Sequence, residues 1–183
     1  MSLVIEIVRW LALSVIPWVP SPNDVVKKML HIARVGQEDV VCDLGSGDAR
    51  ILIAAVEEFK AKKAIGYELR EHLYQVSLQE IEKRNLGDKI ELHQRDLYEA
   101  DLTEASVVTL YLSNQANELL RPKLEKELRY GTRVISLIFK INNWQTSCLT
   151  WGGQAPNLPM PPFYGCAYLY YPIYLYVIPD AFK

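Results

Sequence analysis

The sequence predicts an α/β domain with a seven-stranded, mostly parallel sheet and helices on both faces. An apolar run, a loop with two glycines and an apolar-periodic segment follow one another over residues 40–59, which is the order of a strand, a tight turn and a helix. Four further predicted strands come next, most of them separated by helices, and such alternation favours right-handed βαβ crossovers. A late pair of predicted strands completes the sheet beside the fifth strand.

The boundaries of these elements follow from the spacing of apolar residues and from residues that break regular structure. Pro20 and Pro22 stiffen a joint before the first helix, where Ser21 or Asn23 can act as the N-cap. Strands are predicted at residues 40–44, 63–69, 89–95, 106–112, 132–141, 166–171 and 173–178, with Pro172 breaking the last pair. Helices are predicted at residues 25–35, 48–59, 71–85 and 115–130, and loop at residues 152–153 and 156–162.

The loop after the first strand indicates the class of ligand. Gly45 and Gly47 let the backbone turn sharply and let a ligand approach closely, because glycine has no Cβ. A dinucleotide-binding loop needs a third glycine where this chain has Arg50. Asp43 stands two residues before Gly45, and its carboxylate suits a cationic ligand and would repel a pyrophosphate. S-adenosylmethionine carries a sulfonium and an ammonium but no phosphate, so the loop, including Ser46, is predicted to bind this cofactor.

Three acids, Asp43, Glu68 and Asp96, follow or end three successive strands. In open α/β sheets ligands bind beyond the carboxyl ends of the strands, so we expect these acids to surround one site. Asp43 either holds the cationic end of the cofactor or supports the glycine loop. Glu68 has two oxygens that can accept both ribose hydroxyls, and the next residue, Leu69, is also predicted to bind the cofactor. Asp96 can accept from the adenine amino group, while Leu97 adds an apolar face.

Size and composition limit the function classes. With 183 residues the chain has the size of one domain, and its net charge of -2, without a long basic run, gives no nucleic-acid footprint. The three cysteines, Cys42, Cys148 and Cys166, are spaced for neither a zinc site nor a disulfide framework. We therefore expect a cytoplasmic protein that needs no metal.

The first 22 residues differ in character from the predicted domain at residues 23–183. Residues 2–17 are mostly apolar, yet the run is too short to span a membrane, and Glu6 and Arg9 interrupt it. It also lacks the basic start of a signal peptide. Three alternatives stay open for it: a helix packed on the domain, a membrane-peripheral anchor, or a homodimer contact. For residues 18–22 we expect a lid over the cofactor, with Pro20 and Ser21 in the binding site.

Several stretches together resemble a known family. They are Val19-Pro20-Ser21-Pro22, Asp43-Leu44-Gly45-Ser46-Gly47-Asp48, Gly66-Tyr67-Glu68, Asp96-Leu97-Tyr98, residues 107–112 with Asn117, Gly131-Thr132-Arg133-Val134 and residues 174–178. On these residues the chain is similar to class I S-adenosylmethionine-dependent methyltransferases, and more narrowly to the small archaeal protein-lysine methyltransferases related to the non-SET histone lysine enzymes. The resemblance implies a Rossmann-like fold and methyl transfer to an accessible lysine of a protein substrate. The chain departs from the family pattern where Ala49 replaces a usual glycine and where Leu137-Ile138 replaces a common His-Asp pair.

A lysine substrate sets a physical requirement. Only the neutral amine attacks a methyl group, and with a pKa of about 10.4 the side chain reaches that form at pH 7 at a cost of about 4.6 kcal/mol. An apolar aromatic channel that faces a sulfonium lowers this cost, because both features disfavour the ammonium. Tyr111, after the fourth strand, is the residue that we place at this channel as the catalytic position. The remaining task is in-line alignment of amine, methyl group and sulfur.

Other acceptors stay as alternatives. Enzymes that methylate the amines of bases typically place an Asn/Asp-Pro-Pro-aromatic tetrad after the fourth strand, where this chain has Tyr111-Leu112-Ser113-Asn114. Together with the net acidity, this makes nucleic acid a minor candidate. The uncharged stretch from Ile141 to Pro179 favours a methyltransferase that acts on a small molecule, and the Leu137-Ile138 departure favours a cofactor-binding protein that has lost catalysis.

Overall fold

The structure, a computed structural model, describes residues 18–152, 171–179 and 181 of the chain. Within these residues the strands are β1 (Val40–Leu44), β2 (Lys63–Tyr67), β3 (Ile90–His93), β4 (Val107–Leu110), β5 (Arg133–Leu137), β6 (Cys148–Gly152) and β7 (Tyr171–Val177). The helices are α1 (Asn23–Ile32), α2 (Arg50–Glu57), α3 (Glu71–Lys83) and α4 (Asn114–Glu127), with a 3-10 helix at Leu97–Glu99.

The seven described strands form one sheet in the order β3-β2-β1-β4-β5-β7-β6. β1 to β5 run parallel, whereas β7 is antiparallel to both β5 and β6. The predicted seven-stranded, mostly parallel sheet is therefore confirmed. The chain moves outward in one direction from β1 to β3 and in the other direction from β4, so the strand order reverses between β1 and β4, where folds of this type bind ligands.

Helices cover both faces of the sheet because the strands alternate their side chains between two apolar cores. On β4, Val107 packs with the buried residues of α1 and α2, whereas Val108 packs with those of α4. Met29 on α1 and Leu120 on α4 are fully buried on opposite faces. A sheet buried in this way has fixed strand ends, and these ends carry the site.

Several strands end earlier than predicted. β2 stops at Tyr67, β4 at Leu110 and β5 at Leu137, two or more residues before the predicted ends. Glu68, Tyr111 and Phe139 all follow these strand ends, and all three line one cavity. The apolar pattern continues past β4 and β5 because Tyr111 and Phe139 contribute to the walls of that cavity.

The last two strands of the chain differ from the prediction. β6 has no counterpart among the predicted strands, and its final residue, Gly152, was expected in a loop. Pro172 was expected to separate the last two strands, but it lies within β7 opposite Trp151. Because Pro172 is the second residue of β7, its missing N–H costs at most one ladder hydrogen bond. The strand predicted at residues 166–171 lies, apart from Tyr171, outside the described residues.

Among the residues that the structure describes, none of the helices is both long and apolar enough to cross a membrane. The three alternatives for residues 2–17 concern a segment that lies outside the described residues.

Candidate functional site

A cavity of about 420 Å³ lies at the carboxyl ends of the central strands, where the strand order reverses. Its volume is within the range of roughly 300–1,000 Å³ that is typical of small-molecule sites. The structure brings ten predicted site residues together in its walls: Pro20, Ser21, Asp43, Gly45, Ser46, Gly47, Glu68, Leu69, Leu97 and Tyr111. Asp96 is the predicted site residue that is absent from these walls.

Asp43 is the buried acid of the cavity. It lies on β1 beside Thr109 of β4, and Thr109 Oγ1 donates to Asp43 Oδ1 at 2.6 Å. Burial raises the pKa of Asp43 to about 7, the hydrogen bond from Thr109 opposes the rise, and the charges of Glu68 and Asp48 add to it. A cation bound in the cavity would favour the ionised carboxylate and lower this pKa again.

The glycine loop is fixed by the neighbouring strand. Gly45 N and Ser46 N both donate to Tyr67 O, at 2.9 and 3.0 Å. Gly45 and Gly47 have φ of 88° and 56°, the left-handed region in which glycine is at ease. Ala49 also has a positive φ of 63°, which explains why a glycine is usual at this position and why alanine is an uncommon choice.

The side chain of Ser46 lies close to the neighbouring strand β2. It is buried and lies over Gly66 of β2, where an added Cβ would come within 2.9 Å of Ser46 Oγ. The same added Cβ would come within 2.5 Å of Leu52 Cδ1. Gly66 is therefore needed so that α2 and the loop can pack closely on β2.

Glu68 connects the glycine loop to the end of β2. Its Oε2 accepts from Gly47 N at 3.0 Å and its Oε1 accepts from Arg70 N at 2.8 Å. Each carboxylate oxygen has a second acceptor direction, so Glu68 can still accept from two hydroxyls of a ligand. The carboxylate is thus held in place by backbone donors before any ligand arrives.

Residues 18–21 line the cavity beside the glycine loop, and their role as a lid stays a prediction. A Cβ added to Gly47 would come within 2.6 Å of Trp18 Nε1, so only glycine leaves room for the indole. Arg50 connects the segment to the loop, because its Nη1 donates to Ser21 O at 2.7 Å and its Nε donates to Asp48 Oδ1 at 2.8 Å.

The adenine end was predicted at Asp96 and Leu97, and Leu69 was predicted in the cofactor site without a stated role. Leu69 and Leu97 line the cavity, with Leu69 45% exposed and Leu97 buried. Asp96 instead caps the 3-10 helix, because its Oδ1 accepts from Tyr98 N at 2.9 Å. Its other oxygen is not engaged in this cap, so the predicted acceptor role of Asp96 stays a prediction.

Two aromatic side chains line the same cavity where β4 and β5 end. Tyr111 follows β4 and Phe139 follows β5, and both are partly buried. Burial is the main cause that raises the pKa of Tyr111, so its phenol stays neutral near pH 7. Together they give this end of the cavity an apolar aromatic lining.

Sequence reasoning did not find Thr109, Arg50 or Phe139 as parts of the site. For Thr109 the signal was available, since a threonine inside a predicted buried strand needs a hydrogen-bond partner. Arg50 appeared only as a residue that excludes a dinucleotide loop. Phe139 was placed inside the strand predicted at residues 132–141, directly after the Leu137-Ile138 departure.

The residues of the cavity fit the predicted cofactor. A buried carboxylate suits the cationic end, a carboxylate with two free acceptor directions suits the ribose, and apolar side chains suit the adenine. Gly47 leaves room for the Trp18 indole, which brings residues 18–22 to the wall of the cavity. The fit is therefore one of donor and acceptor chemistry as well as of size.

Comparisons with known proteins agree with this geometry. The sequence model of the ANTKMT methyltransferase domain matches residues 43–148. A relative from Saccharolobus islandicus, named protein-lysine N-methyltransferase, is 46% identical over 129 residues, which are 70% of this chain and 80% of the relative. The adenine nucleotide translocase lysine N-methyltransferase of Mus musculus is 32% identical over 130 residues, 71% of this chain but 56% of that protein.

Among solved structures, an RNA methyltransferase from Salinibacter ruber, in complex with S-adenosyl-L-homocysteine, superposes with a TM-score of 0.75. It is 34% identical, and the match covers 88% of this chain and 95% of that one. The chain thus spans most of the archaeal relative and of this structure, and little more than half of the mouse protein.

Proposed function

We propose that this chain, which belongs to the ANTKMT methyltransferase domain family, transfers methyl groups to lysine side chains of proteins. The chain is an enzyme, and its cofactor is S-adenosylmethionine. The observation that supports the proposal most strongly is the cavity, in which a buried acid at one point and two aromatic side chains at another share the same walls. The archaeal relative, with its name and its 46% identity, supports a lysine as the acceptor.

We propose that four elements hold the cofactor. Asp43 would face its cationic end, and Glu68 would accept from the ribose hydroxyls while it keeps its two backbone donors. Leu69 and Leu97 would flank the adenine. The Trp18–Pro22 segment would cover the ligand, held down by Arg50 through Ser21 O.

The aromatic end of the cavity would prepare the amine. When bound, the cofactor supplies an electrophilic methyl group on a sulfonium. Tyr111 and Phe139 offer an apolar surface to the lysine stem and exclude water from the amine, which disfavours the ammonium. The cavity walls also orient the amine toward the methyl carbon, so catalysis is chiefly positioning and desolvation.

RNA is the second candidate acceptor, because the Salinibacter ruber structure is that of an RNA methyltransferase and is 34% identical. The net charge of -2 argues against it, since a nucleic-acid site needs basic residues to neutralise phosphates. A small-molecule acceptor has no comparable support in the described residues.

A cytoplasmic location is also a proposal. Cys42 is a buried free thiol and Cys148 an exposed one, which is consistent with a reducing cytoplasm.

Docking on a membrane or on a second copy through residues 1–17 is tested by liposome flotation and light scattering of the full chain. A monomer that stays in the aqueous fraction excludes both forms of docking.

Calorimetry and a pH profile test the proposal. The chain should bind S-adenosylmethionine and its demethylated product, and should not bind NAD. Transfer to a lysine-rich protein should rise with pH up to the pKa of the bound amine, since only the neutral amine reacts. Binding of NAD without binding of S-adenosylmethionine would refute the assignment.

A further inference from the structure

We propose that Asn117 is a positioning residue for the acceptor end of the cavity, because its side-chain amide holds the turn that carries Phe139. The inference rests on the proposed function for the nature of the acceptor. Asn117 is fully buried on α4 and does not line the cavity. It therefore acts through the backbone of the turn and not through contact with the acceptor.

The turn after β5 has an unfavourable backbone. Ile138 has a φ of 67°, a region that β-branched residues rarely adopt. Phe139 N donates back to Leu137 O at 2.8 Å, so the chain reverses within three residues. Such strain persists only where surrounding contacts enforce it, and it concentrates at functional sites.

Four hydrogen bonds enforce this turn. Asn117 Nδ2 donates to Phe139 O at 2.9 Å and to Ser136 Oγ at 3.3 Å. Ser136 Oγ in turn donates to Phe139 O. Ile138 N donates to Pro172 O of β7 at 2.7 Å. The carbonyl of Phe139 thus has two buried donors, and both belong to residues that are fully buried themselves.

The start of α4 ties this turn to Tyr111. Ser113, two residues after Tyr111, is the N-cap of α4 and accepts from Ala116 N at 3.1 Å. Asn117 follows in the first turn of the same helix, and its N–H donates to Ser113 O at 2.9 Å. One helix start therefore fixes the backbone after β4, which carries Tyr111, and the backbone after β5, which carries Phe139.

The location of the turn that Asn117 holds favours a role in substrate positioning. Leu110 of β4 and Ser136 of β5 are register partners, so the two aromatic residues follow adjacent strand ends. Phe139 lines the cavity, whereas the glycine loop and Glu68 lie at the ends of other strands. Loosening the turn should disturb the acceptor and leave the cofactor contacts in place.

The test compares Asn117→Ala, Phe139→Ala and the double variant with wild type. Transfer of labelled methyl groups to purified histones is measured beside calorimetric affinity for S-adenosylmethionine, with acetylated histones as the blank. Asn117→Ala and Phe139→Ala should each lower kcat/KM for histones by about tenfold, with cofactor affinity within about twofold of wild type. The double variant should lose no more kcat/KM than Phe139→Ala alone. The effects of two residues that act through the same wall of the cavity are not additive.

Asn114→Ala is the matched control, since Asn114 is exposed at the start of the same helix. Hydrogen exchange at the amides of Ile138 and Phe139 should speed up in Asn117→Ala and not in Asn114→Ala. If Asn117→Ala does not fold, Ser136→Ala replaces it in the test, since this small change removes the second donor to Phe139 O. Ser136→Ala should then show the lower transfer to histones, the unchanged cofactor affinity and the faster exchange expected of Asn117→Ala.

Transfer by Asn117→Ala equal to that of the control, or a parallel loss of cofactor affinity, would overturn the inference. A double variant whose loss is the product of the single losses would also overturn it. A wild-type chain that labels neither histone sample refutes the lysine acceptor instead, and the exchange rates then decide whether Asn117 holds the turn.

Discussion

Asp43 and Thr109 are register partners on β1 and β4, and the hydroxyl of Thr109 donates to Asp43 Oδ1 at 2.6 Å. The pair lies where the strand order reverses, with the carboxylate buried in the wall of the cavity. One oxygen of the acid is satisfied by the protein, but burial still raises the pKa of Asp43 to about 7. The free chain is therefore poised to gain a negative charge when a cation binds.

Asp43→Asn should stabilise the free chain at high pH. The pKa of Asp43 is raised in the folded chain above its unfolded value of about 3.9, so wild-type stability should fall as pH rises from about 4 through about 7. The asparagine variant lacks this loss and keeps an acceptor for Thr109. At pH 8 the free energy of unfolding of the variant should exceed that of wild type by about 4 kcal/mol, since the shift spans roughly three pKa units at about 1.36 kcal/mol each, and the gap should close toward pH 4. A gap of the same size at both pH values would contradict the burial of a titrating Asp43.

The same variant should weaken binding of S-adenosylmethionine. In wild type the affinity should rise from pH 5 to pH 8, because the cation prefers the ionised acid. In Asp43→Asn the affinity should be lower by about tenfold at pH 8 and nearly independent of pH. Calorimetry at several pH values measures both effects, and an unchanged affinity at pH 8 would place the cationic end of the cofactor elsewhere.

Arg50→Gln should loosen the Trp18–Pro22 segment. The guanidinium joins Ser21 O to Asp48, and glutamine cannot reach both. Affinity for S-adenosylmethionine should drop about fivefold to tenfold, while the free energy of unfolding changes by less than about 1 kcal/mol. Arg84→Gln, which removes an exposed pair with Glu57, is the control and should leave affinity unchanged. Equal affinities for the two variants would mean that the segment is not a lid.

Gly66→Ala should destabilise the fold by about 2–3 kcal/mol. The added methyl would meet Leu52 Cδ1 at 2.5 Å and Leu92 Cδ1 at 2.8 Å, so the core under the glycine loop must shift. Gly87→Ala is the control, because an added Cβ at Gly87 meets nothing within 4 Å. Denaturant unfolding measures the difference, and similar midpoints for the two variants would show that α2 does not pack on β2 this closely.

Tyr111→Phe and Tyr111→Ala separate the ring from the hydroxyl. If Tyr111 acts as an apolar wall, the phenylalanine variant should keep most of the transfer rate, and the alanine variant should lose about 30-fold to 100-fold. Since burial raises the pKa of Tyr111, no phenolate contribution is expected at pH 7–9. A large loss in Tyr111→Phe would assign a chemical role to the hydroxyl.

The parts of the site that follow chain order could be predicted from sequence. Asp43, the glycine loop and Glu68 are recognisable because each comes directly at the end of an apolar run, and parallel strands bring such ends together. Their convergence on one cavity is what the structure adds.

The remaining parts depend on pairings that the sequence does not reveal. Asn117 meets Phe139 O across 22 residues, and Arg50 meets Ser21 O across 29 residues. The order of β7 and β6 was hidden for a related reason, since Pro172 resembles a strand breaker until its partners are known. Long-range hydrogen bonds of this type have no local pattern.

The most direct test of the central claim follows labelled methyl groups from S-adenosylmethionine into three acceptor pools: a lysine-rich protein mixture, total RNA and a small-molecule extract. The account predicts label in the protein pool, recovered as methylated lysine after hydrolysis, and loss of that label when the lysines are first acetylated. Label that enters RNA, or protein label that survives acetylation, would contradict it.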